Sequence, residues 1–315
     1  MNELPRLDSY PVARSADIVP TGSSESANTR STDLLAADTS MGAVTLLVAD
    51  ITVMTTYYRD AIALSVLSET TGTVTLGRGI TPLIILRAAP ELVHASPREA
   101  GLFHTAILFD SEAALAASVY SVATKAPGTF TGSSDHVVSK AFYFSDPEGN
   151  GVELYWDRQR SFWSWTHGQI EMSTLFLDPN SFLQENLTEA AVEAPNFGGA
   201  VVGHVHLSVG DIPSAKKFYI DQLGFEQTLL YGTQALFVSA GGYHHHLAMN
   251  TWNSAGAGRR VRTLGLGQVA IVVPTTDDLE ALGERMSHSG LQTRDDGEML
   301  SFDDPWANVI RVTVA

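Results

Sequence analysis

The stretch Met41-Gly42-Ala43-Val44-Thr45-Leu46-Leu47-Val48-Ala49-Asp50 alternates like a strand and ends on an Asp placed to cap a helix. A helical pattern carrying Tyr57-Tyr58-Arg59-Asp60 follows. The same text returns as Val202-Gly203-His204-Val205-His206-Leu207-Ser208-Val209-Gly210-Asp211, then a helix carrying Phe218-Tyr219-Ile220-Asp221. Two shorter copies open at Gly101-Leu102-Phe103-His104 and at Gly265-Leu266-Gly267-Gln268. Their last strands follow Asp146-Pro147-Glu148-Gly149-Asn150 and Asp304-Pro305-Trp306-Ala307-Asn308. The repeat predicts an α+β chain of four βαβββ modules, at about 42–95, 100–158, 200–254 and 262–315.

Residues 1–40 differ from the rest. They are rich in Ser, Thr, Asp and Ala with little apolar periodicity, and read as an extended N-terminal arm. Residues 41–158 and 200–315 then read as two domains of two modules each. Between them, 159–199 is a long connection containing Trp163, Trp165 and Leu175-Phe176-Leu177-Asp178-Pro179-Asn180.

Composition narrows the function by exclusion. Among 315 residues there is no cysteine, which removes disulfides, thiolate zinc sites and Cys nucleophiles. The net charge of −16, with no cluster of Lys and Arg, argues against nucleic acid and against an anionic membrane surface as partners. No apolar run is long enough for a membrane helix, and no secretory signal is legible. The default reading is a soluble cytoplasmic chain, with which a homodimer is compatible.

The four-module pattern resembles the vicinal-oxygen-chelate superfamily, which includes glyoxalase I, extradiol ring-cleaving dioxygenases and antibiotic-resistance proteins. Tyr143-Phe144-Ser145-Asp146-Pro147-Glu148-Gly149-Asn150-Gly151-Val152-Glu153-Leu154-Tyr155-Trp156 and Gly241-Gly242-Tyr243-His244-His245-His246 are similar to the bacterial catechol-2,3-dioxygenase-like branch. The resemblance implies that modules pair into two cupped mixed β-sheet domains. It also implies that metal ligands come from the first and last strands of the modules.

The first-strand position holds Ala43, His104, His204 and Gln268. The last-strand position holds Glu153 and Arg311, each at the same spacing from its proline, Pro147 or Pro305. Arg311 cannot ligate a cation, and Ala43 has no donor atom. Pairing first with second module and third with fourth would split the donors between two incomplete sites. Pairing second with third gathers His104, Glu153 and His204, two imidazoles and a carboxylate. That set is the facial triad of Fe(II) oxygenases, although Mn(II) or another divalent metal would also suit it. Ala43, Gln268 and Arg311 would then share the other cup. Strand parity agrees: Val205, Leu207 and Val209 alternate with His204, His206 and Ser208, and Val152, Leu154 and Trp156 with Glu153 and Tyr155.

The resemblance implies further roles. His136 and Tyr143, between His104 and Glu153, fall where ring-cleaving relatives carry an active-site His and Tyr. The partner module should supply an acid–base histidine near its last strand. Alternation from Leu247 and Met249 places His244, His246, Ala248 and Asn250 in the cup, so His246 is expected as the acid–base residue, with His244 second. His206, Tyr155, Asn250 and His244 are expected to line the substrate site. Blander readings stand beside these: His136 as a loop histidine next to Asp135, Tyr143 as core, and His245 as an adventitious metal binder. Tyr57, Tyr58, Phe218 and Tyr219 read as packing, and Gly241-Gly242 as a tight turn.

The implied function is extradiol cleavage of a catechol-type aromatic diol with O₂, as in aromatic catabolism. The rival readings are a glyoxalase-type metal-dependent lyase or isomerase and a non-catalytic small-molecule binder. The lyase reading is weakened because the partner's last strand offers His rather than Glu.

Overall fold

The structure, a computed structural model, describes residues 34–315. The expected arm lies mostly outside the described residues, and only 34–40 can be followed. There Leu35 is buried, and its N–H donates to the Gly224 carbonyl at 2.8 Å.

The first module comprises β1 (Ser40–Met41), β2 (Val44–Val48), α1 (Ile51–Thr56), β3 (Ser65–Thr70), β4 (Thr73–Arg78) and β5 (Thr81–Ala88). The second comprises β6 (Gly101–Phe109), α2 (Glu112–Lys125), β7 (Phe130–Asp135), β8 (Ser139–Ser145) and β9 (Gly151–Asp157). The connection carries β10 (Trp165–Thr166), β11 (Gln169–Ile170), β12 (Leu175–Phe176), α3 (Pro179–Asn186) and α4 (Glu189–Glu193). The third module comprises β13 (Ala200–Ser208), α5 (Ile212–Lys216), β14 (Glu226–Tyr231), β15 (Ala235–Ser239) and β16 (Leu247–Asn250). The fourth comprises β17 (Gly265–Val273), α6 (Thr276–His288), β18 (Arg294–Asp295), β19 (Met299–Asp303) and β20 (Val309–Val314).

Each module turns from its first strand into its helix at a polar cap. The Asp50 carboxylate accepts from Thr52 and Val53 N–H, and Ser111, Asp211 and Thr275 accept from N–H groups of α2, α5 and α6. These bonds satisfy amide donors that have no partner within the helix. The short helices α1 and α5 both widen into a π-type turn, over Tyr57–Ala61 and Lys217–Gln222, so the repeat extends to this irregularity.

The modules pair first with fourth and second with third. One nine-stranded sheet runs β18-β19-β20-β17-β2-β5-β4-β3, with β1 also on β17, and the other runs β12-β7-β8-β9-β6-β13-β16-β15-β14. Each sheet therefore takes one module from 41–158 and one from 200–315. Within every module the first and last strands are parallel, and the modules meet along antiparallel seams, β2 on β17 and β6 on β13. Arg311 lies opposite Ala270, and Gln268 opposite Thr45, so both belong to the first-and-fourth sheet.

Alternation decides which face meets the core. Val205, Leu207, Val152 and Leu154 join Leu46, Val48, Val269 and Ile271 of the other sheet in one buried cluster, with Leu115, Val119 and Leu282 from the helices. Burying each such large side chain contributes roughly 1.5–3 kcal/mol. Polar clasps cross between the modules of the two different sheets. Tyr58 Oη donates to Asp146 Oδ2, and Tyr219 Oη to Asp304 Oδ2, both at 2.9 Å. The two Asp-Pro turns close alike: Asp146 Oδ1 accepts from Asn150 N–H, and Asp304 Oδ1 from Asn308 N–H. With the apolar faces committed to the helices, the polar face of β9, β6 and β13 is left for the site. Among the described residues, no helix is long and apolar enough to cross a membrane.

Candidate metal centre

Three neighbouring strands build the centre. β9 presents Glu153, β6 presents His104 and β13 presents His204, and one ligand atom from each lies within 4.8 Å of the others. Glu153 Oε2 is 2.9 Å from His104 Nε2 and 3.2 Å from His204 Nε2. All three side chains are buried.

Burial alone would raise the Glu153 carboxyl. His204 and His104 beside it outweigh that and hold it well below the usual carboxylate range. Burial pushes the His204 imidazole down to about 4, against the pull of Glu153. An ionised carboxylate beside an unprotonated imidazole is the donor state a cation requires. His104 Nε2, despite its distance, makes no hydrogen bond and is buried, as is His204 Nδ1. A buried polar atom without a partner is costly, and a metal ion at the meeting point of the three side chains would supply one to His104 Nε2. The residues present fit a single divalent cation.

Two β-bulges shape the site. One falls at Gly203, between Val202 and His204; the other leaves Phe103 unpaired between His104 and Leu102. A side chain at Gly203 would collide with the Tyr155 hydroxyl, so only glycine admits that tyrosine beneath the strand. The second bulge turns Phe103 toward the same side as His104. Its ring lies 5.4 Å from His104, 4.9 Å from His206 and 5.4 Å from Trp252.

The other expected residues are mostly gathered. Tyr143 lies opposite Glu153 on β8, its ring 5.7 Å from His104. Burial, with Glu153 beside it, keeps its hydroxyl protonated well above the usual range. That hydroxyl is 2.7 Å from His136 Nε2, while His136 Nδ1 is 2.8 Å from the Ser173 carbonyl. A carbonyl only accepts, so Nδ1 carries a proton, and in the neutral ring Nε2 accepts from Tyr143. Asn250 Oδ1 takes the Trp252 N–H, which leaves its amide to donate to His206 Nε2 at 3.0 Å. Burial, then the nearby His104 and His204, pushes His206 well below the usual imidazole range. Tyr155 sits 4.9 Å from the His204 ring.

The histidine run requires a correction. Residues 241–246 are not strand, so alternation cannot be carried back from β16. Gly241 and Gly242 both have left-handed φ, 61° and 66°, and form the expected tight turn. Beyond it, His246 turns toward Phe225 and Tyr243, and its Nδ1 accepts from Ala240 N–H at 3.2 Å. No ring contact joins it to the three candidate ligands among the described residues. His245 is the one brought to them, its ring 4.1 Å from His204 and 5.1 Å from Phe237. His244 stands behind it, Nδ1 to Nδ1 at 2.7 Å, with Nε2 2.9 Å from Asp157. Sequence reasoning missed Phe103, Trp252, His245 and Asp157. Only Asp157 carried a usable signal, since it continues the period-two row Glu153, Tyr155.

Comparison with known proteins bears on the family. Residues 201–312 match the family model of the Glyoxalase/Bleomycin resistance protein/Dioxygenase superfamily. The chain is 35% identical over 273 residues to the catechol-2,3-dioxygenase of Bacillus subtilis strain 168, covering 85% of this chain and 94% of that one. Glyoxalase I from Zea mays shares the fold with a TM-score of 0.54 at 16% identity, over 88% of this chain and 92% of that one. The cppA protein from Streptococcus pneumoniae TIGR4 does so with a TM-score of 0.56 at 11% identity, over 89% and 99%. Four βαβββ modules, two mixed nine-stranded sheets and a relative aligned along most of both chains establish that this chain belongs to the glyoxalase/bleomycin resistance protein/dioxygenase superfamily.

Proposed function

We propose that the chain is an Fe(II)-dependent extradiol dioxygenase that opens the ring of a catechol-type diol. The observation that carries this reading is the buried His104–Glu153–His204 cluster with a histidine and a tyrosine beside it. The name of the 35% identical relative supports the same reaction.

When bound, the iron supplies Lewis acidity and a path for electrons between diol and O₂. His104, Glu153 and His204 would hold it, and a set of two imidazoles and one carboxylate leaves coordination positions for substrates. His245 is the group to take the proton of the second diol hydroxyl and to return it later, replacing His246 in that role. Burial and the neighbouring histidines keep its pKa well below the usual range, so it is unprotonated and ready to accept. Tyr143, kept protonated and held through its hydroxyl by His136 behind it, is the group to accept a hydrogen bond from a diol hydroxyl. Phe103, His206 and Trp252 supply an aromatic wall for the ring.

The lyase reading expects a second carboxylate from the partner module, but β16 presents Ala248 and Asn250. Anaerobic loading with Fe(II), addition of catechol and then of air tests the proposal. A yellow ring-opened product, absent from His104→Ala and Glu153→Ala, is expected. Tight iron binding without any ring-opened product would count against it.

A further inference from the structure

We propose that Asp157 and His244 are positioning residues that fix the proton of His245 on Nδ1, and so keep the lone pair of His245 Nε2 facing the substrate space. The inference rests on the reading of His245 as the acid–base group and deepens it.

The polarity of the chain of hydrogen bonds follows from its carboxylate end. Asp157 closes β9, on the same face as Glu153 and Tyr155. Its Oδ1 is 2.9 Å from His244 Nε2, and its Oδ2 accepts from the Tyr243 hydroxyl at 2.7 Å. A carboxylate only accepts, so His244 Nε2 bears a proton. In the neutral form of His244 that is the ring's one N–H, which makes its Nδ1 an acceptor. Facing it at 2.7 Å is His245 Nδ1, which must therefore donate. With that proton placed, His245 Nε2 is the acceptor nitrogen, and it makes no hydrogen bond among the described residues.

A second arm holds the carboxylate in place. The Tyr155 hydroxyl is 2.8 Å from that of Tyr243, and since Tyr243 spends its proton on Asp157, Tyr155 is the donor. Tyr155 in turn packs at 4.9 Å on His204. Asp157 is thus pinned from two directions, and both arms end against the same candidate ligand. Burial of His244 and His245 keeps water from competing for the Nδ1–Nδ1 contact. A histidine whose tautomer were free would present an N–H to the diol in part of the population, where a base is required.

Long-range ¹H–¹⁵N spectra of the iron-free, full-length chain with labelled histidine read this directly, with His244→Phe and His245→Phe to assign signals. Wild type should show His245 protonated on Nδ1 and His244 on Nε2. In Asp157→Leu the His245 preference should be lost. In the iron-loaded variant, kcat for catechol should fall by about tenfold or more, the usual range for a lost supporting hydrogen bond, with KM and bound iron unchanged. His245 protonated on Nε2 in wild type, or a tautomer unaltered in Asp157→Leu, would overturn the proposal. Should Asp157→Leu not fold, the wild-type spectrum decides alone. Because the tautomer is read without iron, its outcome is separate from whether the loaded enzyme opens a ring.

Discussion

His204 and Glu153 lie 3.2 Å apart although their strands are not neighbours, because β6 runs between β13 and β9. Ala106 is the residue between them, paired with His204 on one side and Glu153 on the other. Adjacent strands are about 4.8 Å apart, so two side chains separated by a third strand can meet only over a small one. Ala106→Leu should therefore block the meeting while leaving the helix-side core intact. Equilibrium titration with Fe(II) should show at least about a tenfold loss of affinity, and thermal melts a cost of roughly 1–3 kcal/mol from overpacking. Unaltered affinity would mean that the ligands do not converge across this methyl.

The histidine run separates two roles. His245→Gln should retain iron and lower kcat by roughly 10² to 10⁴-fold, the usual effect of losing a general acid–base group. His246→Gln should act mainly on stability, because its imidazole accepts from Ala240 N–H rather than facing the ligands. Turnover of both variants under saturating catechol decides between them, and the reverse ranking would restore His246 to the site.

Much of this was legible before any coordinates, for identifiable reasons. His104, Glu153 and His204 stand at equivalent places of a repeat, and with the ligand positions that the resemblance implies, donor chemistry favoured exchanged pairing of modules. Alternation placed Val205, Leu207, Val152 and Leu154 correctly because those stretches are regular strand. It failed where the backbone departs from period two. The bulge at Phe103 turns that side chain toward the same side as His104, and the turn at Gly241 and Gly242 uncouples His244–His246 from β16. Neither a bulge nor the exit direction of a turn leaves a periodic signal. The Asp157–His244–His245 chain was hidden for the same reason, since it joins a strand end to a loop.

Phe103 should matter to binding more than to chemistry. Its ring completes a wall with His206 and Trp252, where an aromatic contact contributes about 0.5–1.5 kcal/mol. Phe103→Ala should raise KM for catechol roughly threefold to tenfold, with a smaller change in kcat. Steady-state kinetics under saturating O₂ check this, and an unaltered KM would place the diol elsewhere.

The hairpin that presents His136 carries a pH signature. Val137 has a left-handed φ of 72°, unfavourable for a β-branched residue, and its N–H is held by Asp135 Oδ1 at 2.9 Å. Arg158 grips both Asp135 oxygens, at 2.9 and 2.7 Å. Burial works against ionisation, but the Arg158 hydrogen bonds prevail and hold the carboxyl below its ordinary 3.8. A depressed folded pKa gives stability that is present above the unfolded value and lost as pH falls through the folded one. Asp135→Asn should therefore cost about 1 kcal/mol at neutral pH, allowing for the partial exposure of the pair. Melting curves should show the difference from wild type shrinking as pH drops below 3.8. A difference independent of pH would remove Arg158 as its cause.

The most direct test of the metal centre is a crystal structure of the iron-loaded chain with data collected at the iron absorption edge. One anomalous peak per chain is expected in the cup of the second and third modules, about 2.0–2.3 Å from His104, Glu153 and His204 together. A peak beside Arg311 in the opposite cup, or one bonded to His104 and Glu153 without His204, would contradict it.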